Sequence, residues 1–203
     1  MAGIMPLGDR QRSTAGLLVV EVVSSVLTEL VQVPENDGGD QGQAQKTVTK
    51  FHGLRAPSIS VPNYLQRISK FSGCSDECFI LSLIYIDRLI TRQKIEMDPL
   101  NVHRLIITSI MLAAKFFDDH YLDNAHYSQV GGIPRDEINA LELEFLFLIE
   151  FDLFVSSKDY DMYHTALGKK AETNGLVSRA DLEVWKSASN VRPPSVSVHA
   201  AWA

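Results

Sequence analysis

The sequence predicts an all-α protein, one helical domain organised around a helix that other helices enclose. Two consecutive segments, 75–92 and 101–117, are apolar on almost every side of a 3.6-residue period, and such a helix has to be surrounded by other helices. Both segments are too polar at their ends to span a bilayer, which points to a globular core. The segments around them carry helix start and stop signals in register.

The elements follow in chain order. Gly16 to Val33 places Glu21, Ser24, Ser25, Thr28, Glu29 and Gln32 on one helical face. Val19, Val22, Val23, Val26, Leu27 and Leu30 lie on the other, so the spacing predicts an amphipathic helix over about 14–33. A polar stripe of that kind is costly in a membrane, and its acidic character differs from a basic interfacial helix. The helix is expected to dock on the domain or on a partner. Residues 34–45 read as a polar, glycine-containing linker. Around Phe51 the chain is extended, because Pro57 biases its predecessor away from helix.

Ser60 caps a helix with Pro62 in its first turn, running to Phe71. Gly73 stops it, and Ser75 or Asp76 caps the next, to Arg92. Asn101 opens a helix to Phe117, in which Ala113 and Ala114 permit close approach of a neighbour. A short helix covers 124–130 and ends at Gly131-Gly132. Pro134 starts a helix to Glu150, and a weaker one runs from Ser156 or Ser157 through Met162 and Leu167. The domain division is therefore 1–50 for the first helix and linker, 51–168 for the core domain, and 169–203 for a flexible C-terminal tail.

Composition narrows the function. A formal charge of −6 without a dense Lys/Arg run argues against nucleic-acid binding. The two cysteines, Cys74 and Cys78, have no histidine beside them and read as reduced thiols, which fits the nucleus or cytoplasm rather than a secreted protein. There is no P-loop, dinucleotide-binding fingerprint or nucleophile elbow, so no cofactor, no small-molecule substrate and no enzyme activity are expected. Asp118, Asp119, His120, Asp123 and His126 are metal-ligand types, but their spacing follows no ligand motif and reads as a solvated loop. Glu142 and Glu144 are two apart on a helix, face different ways, and cannot form a carboxylate pair. Lys115 is the only ionised side chain between Arg104 and Asp118. It either complements a helix C-terminus or stands as a lone cation at the edge of an apolar surface, with the bulky Phe116 and Phe117 beside it.

Those segments carry a resemblance. YIDRL (85–89), SIMLAAKFFDD (109–119) and LELEFLFLIEFDL (141–153), in this order and spacing, resemble the cyclin box. FHGLRAPSISVPNYLQRI, NVHRLIITSIMLAAKFFDD and YSQVGGI resemble the plant P-type (U-type) cyclins, which are similar to the phosphate-signalling cyclin of yeast. The likeness covers about Phe51 to Leu167. It implies a single cyclin fold, a five-helix cyclin box, here with an additional N-terminal helix and a short C-terminal helix. It implies a regulatory subunit, without catalytic residues, that binds and activates a cyclin-dependent protein kinase in cell division or nutrient-linked signalling. The alternative is a cyclin-fold adaptor for a non-kinase partner, since fold alone does not fix function.

By the same resemblance, Lys115 at the end of the third box helix and Glu142 in the fifth contact the kinase around its αC helix. Leu112, Phe116, Leu146, Phe151 and Leu153 match the apolar residues that cover αC. Asp87 matches an aspartate that makes an internal salt bridge. The stretch Pro57-Ser58-Ile59-Ser60-Val61 lacks the substrate-docking motif that mitotic and G1/S cyclins carry there. The usual basic partner of Asp87 is missing with it, leaving Arg55 and Arg67 as substitutes.

Overall fold

A computed structural model describes residues 12–31 and 48–188, and all the regular structure among them is helical. The helices are α1 (Thr14–Leu30), α2 (Val61–Phe71), α3 (Glu77–Gln93), α4 (Val102–Phe117), α5 (Asn124–Gly131), α6 (Arg135–Leu148), α7 (Ser157–Thr173) and α8 (Arg179–Ala188). The predicted linker at 34–45, the first eleven residues and the last fifteen lie outside the described residues.

The two all-round apolar helices form the centre. In α4, Leu105, Ile106, Ile107, Ile110, Met111, Ala113 and Ala114 are fully buried. The helix packs along α3 and also touches α2, α5 and α6. The two alanines leave no side-chain bulk beyond a methyl, which allows that central packing. Tyr85, Tyr127, Phe51, Phe79 and Phe145 are the largest fully buried side chains.

Helix ends follow the chemistry of their caps. The hydroxyls of Ser13, Ser60 and Ser156 accept backbone N–H groups of α1, α2 and α7, and Asp123 does the same for α5. At the end of α5, Gly132 adopts φ +69°, and the N–H of Ile133 donates to the Ser128 carbonyl at 3.1 Å. A β-carbon there would carry the left-handed penalty, which is why the chain turns at a glycine.

The predicted amphipathic helix docks on the domain. Val22, Val23 and Leu27 of α1 are fully buried, and α1 packs on α2, α3, α7 and α8. Arg12, just ahead of it, ties it down. The guanidinium ion-pairs with Asp76, donates to the Ser69 and Cys74 carbonyls at 3.2 and 3.0 Å, and lies 4.7 Å above the Phe79 ring. No helix among the described residues is long and apolar enough to cross a membrane.

The C-terminal segment differs from the sequence expectation. The helix predicted through Leu167 continues to Thr173, and α8 follows, so residues 169–188 include ordered helix rather than a tail. Trp185 of α8 is buried, stacks on His164 at 4.6 Å and donates its indole N–H to the His164 carbonyl at 3.1 Å. The apolar signal for α8 is only Leu182, Val184 and Trp185, too short for periodicity to register.

Candidate functional site

The lysine at the end of α4 meets the glutamate of α6. Lys115 Nζ lies 2.6 Å from Glu142 Oε1 and also donates to the Asn124 carboxamide oxygen. The Asn124 amide nitrogen donates to Glu142 Oε2 and to Asn139 Oδ1, both at 2.7 Å. Three helices thus contribute to one polar knot. α4 places the cation at its negative C-terminal end, α5 opens with the bridging amide, and α6 supplies the carboxylate. The lysine and glutamate side chains are 25% and 17% exposed, so the pair is set at the surface without being fully solvated. An ammonium has three donors, and two are engaged here, leaving one for an outside acceptor. Asn124 was invisible as a site residue in the sequence. Its only signal is its place at the first position of a capped helix.

Glu144 turns elsewhere and pairs with Lys50 at 2.7 Å, as the two-residue spacing requires. The apolar residues that the resemblance singles out lie on α4, on α6 and in the turn that follows α6. Phe116 is 44% exposed and Phe151 57% exposed, while Leu146 and Leu153 are half-buried. Leu112 is buried in the core, one turn before Phe116 on α4. Phe147 is 67% exposed and meets Phe151 edge to face at 5.3 Å. Neither Phe147 nor the exposed Phe154 was singled out from the sequence, although the run of aromatic residues after Leu141 carried the signal.

Asp87 has a different partner from the one expected. Its carboxylate accepts from the Tyr163 hydroxyl at 2.5 Å, and no ion pair to it occurs among the described residues. Arg67, one of the two basic residues offered for that role, donates to the Gln129 carbonyl at 2.9 Å and so braces α5. Tyr163 lies on α7, far along the chain from Arg55 and Arg67. Burial and the adjacent carboxylate push its phenol well above the usual range.

Three side chains of the aspartate and histidine loop make structural hydrogen bonds, while Asp119 and His120 are exposed. Asp118 accepts from Ser75 N–H at 3.0 Å, Asp123 caps α5, and His126 Nε2 reaches the Phe71 carbonyl at 2.7 Å. Among the described residues no cluster of three or more acidic, histidine or cysteine side chains is arranged to hold a metal. Cys74 and Cys78 are free and buried.

The cyclin family model matches residues 18–153, which is most of the helical core and includes most of α1. The chain belongs to the cyclin family. Among individual cyclins, Cyclin-U4-1 of Arabidopsis thaliana is 41% identical over 153 residues, 75% of this chain and 75% of that protein. Cyclin-P3-1 of Oryza sativa subsp. japonica is 39% identical over 168 residues, 83% of this chain and 71% of its own length. Cyclin-P4-1 of the same species is 40% identical over 154 residues, covering 73% of this chain and 72% of the relative. The similarity is to plant U-type and P-type cyclins. The all-helical fold agrees with it, and cyclins are regulatory proteins.

Proposed function

We propose that this cyclin is the regulatory subunit of a cyclin-dependent protein kinase, docking through the Lys115–Glu142 knot and the apolar residues beside it. The observation that supports this reading is a partly buried, hydrogen-bonded ion pair between two helices, α4 and α6, that also carry the exposed aromatic side chains Phe116 and Phe147. Phe116 of α4, Phe147 of α6 and Phe151 of the turn after α6 are large aromatic side chains left exposed, a residue type enriched at interfaces.

The mechanism is a population shift. Phosphoryl transfer by a protein kinase requires its β3 lysine paired with its αC glutamate. A surface that binds αC only in the inward position raises the population of the competent state, with no chemistry in the cyclin itself. Moving such an equilibrium from 1:99 to 99:1 takes about 5.5 kcal/mol of differential affinity. Covering several half-exposed aromatic and aliphatic side chains, at about 1–2 kcal/mol each for the part still in water, is enough to supply it. The third N–H of Lys115 and the spare lone pairs of Glu142 suit backbone groups at a helix end, which fixes the register of the partner.

Co-purification with cyclin-dependent kinase catalytic subunits tests the reading. The wild-type chain should bind one and stimulate phosphate transfer to a generic protein substrate. A Lys115→Ala/Glu142→Ala variant should bind at least ten-fold more weakly, the usual loss on removing a desolvated, hydrogen-bonded pair at an interface. Equal binding by both proteins would overturn the site assignment. Binding without stimulated transfer would favour an adaptor instead.

A further inference from the structure

The backbone after α6 is unusual. Glu150 and Phe151 are consecutive non-glycine residues with φ +57° each, a left-handed pair that costs roughly 1–2 kcal/mol per residue and persists only where the surroundings enforce it. The last carbonyls of a helix also lack helical donors. Part of that need is met within the turn, where Phe151 N–H donates to the Leu146 carbonyl at 2.8 Å. The rest comes from α3.

Tyr85, Arg88 and Arg92 are spaced i, i+3, i+7 on α3 and so share a face. Arg88 donates to the carbonyls of Asp152 and Phe154 at 2.6 and 2.9 Å. Arg92 donates to the Ile149 carbonyl at 2.7 Å and to the Asp152 carboxylate at 2.5 Å. Tyr85 donates its hydroxyl to the Leu153 carbonyl at 2.8 Å, and Gln93 reaches that of Leu148 at 2.8 Å. The carbonyls of residues 148, 149, 152, 153 and 154 are all held from one helix. A guanidinium suits this work because its planar fork reaches two acceptors at once, which an ammonium on a flexible stem does not.

The held turn carries Phe151, and with it the edge-to-face contact to Phe147. We propose that Arg88 and Arg92 are positioning residues of the kinase-docking surface, which hold the left-handed Glu150–Phe151 turn so that Phe151 is presented in order before the partner arrives. The inference rests on the kinase-docking reading above. The arginines touch no partner; they act through the turn. Without them the turn relaxes from its strained conformation, only a fraction of molecules presents Phe151, and the apparent dissociation constant rises by the inverse of that fraction.

The test uses the full chain and a panel of recombinant cyclin-dependent kinase catalytic subunits. Arg88→Gln/Arg92→Gln is expected to weaken binding about ten-fold, the change for a competent population near one tenth. In that background Phe151→Ala should cause little further loss, whereas Lys115→Ala should still cost its full effect, because only the first acts through the turn. Amide hydrogen exchange of the unbound variant should speed up at Phe151 and Asp152 while α4 stays protected. Arg92→Lys, which keeps the charge and loses the fork, should fall between wild type and the double variant. If the double variant melts below the assay temperature, Arg92→Gln alone carries the same cycle, since both Arg88 carbonyl bonds remain. Full additivity of Phe151→Ala with the arginine substitutions, or unchanged affinity, would overturn the inference while leaving the docking reading intact. A wild-type chain that binds no kinase of the panel would overturn both.

Discussion

His103 sits in the first turn of α4 with Nε2 on the Ile59 carbonyl at 2.8 Å. A carbonyl accepts, so that nitrogen carries the proton, and the buried Nδ1 has no hydrogen-bond partner. Charging the ring would bury an unmatched proton. Burial therefore holds its pKa below the ordinary histidine value, and burial does the same to His164 beneath Trp185. Both groups have a folded pKa below the unfolded one. Their contribution is full above the unfolded value near 6.5 and is lost as the pH falls from there towards the folded values. The melting temperature should drop between pH 7.5 and 5.5, above the range where carboxylates titrate. A His103→Gln/His164→Gln variant should show a shallower drop, measured by far-UV melts at each pH. An equal slope in both proteins would show that other groups set the dependence. At this scale Lys115 was legible, because a single charge ending an apolar run stands out in a sequence. Tyr163 was not, since its pairing with Asp87 spans two helices 76 residues apart.

At the scale of elements, helix boundaries were readable where a cap residue met an apolar period, as at Ser60 and Gly132. The readings failed where the signal was sparse. α8 buries Leu182 and Trp185, and the indole of Trp185 packs closely over Gly168. A β-carbon at Gly168 would stand 2.7 Å from Trp185 Nε1. Gly168→Ala should therefore push Trp185 off His164 at a cost of about 1–3 kcal/mol, as overpacking does. With Trp202→Phe in place, Trp185 is the sole tryptophan of the two in the chain, and its emission should shift to the red. Proteolysis between α7 and α8 should quicken in parallel. Unchanged emission would mean that α8 accommodates the methyl.

For the whole molecule, α1 is part of the core rather than an appendage. Leu18, Val19, Val20, Val22, Val23 and Leu27 are buried against the other helices. At about 1.5–3 kcal/mol each, their burial is comparable with the 5–15 kcal/mol by which a domain is stable. A chain that begins at residue 48 should accordingly lose its cooperative melt and elute as aggregate on size exclusion. A monodisperse, sharply melting fragment would place the stability elsewhere. The family match beginning at residue 18 agrees with this packing. A sequence-based division at residue 51 follows the change in composition, and composition does not report what a helix packs on.

The sequence by itself determined the helical class, the enclosed pair α3 and α4 and the cyclin kinship. These are properties of local period, caps and ordered motifs, all written along the chain. Only the tertiary structure decided what bridges them. Asn124 closes the knot between α4 and α6, Tyr163 takes Asp87, and Arg88 and Arg92 hold a turn some sixty residues away. The physical reason is common to all three. A hydrogen bond is specified by where a donor and an acceptor meet in space, and that meeting is set by how helices cross.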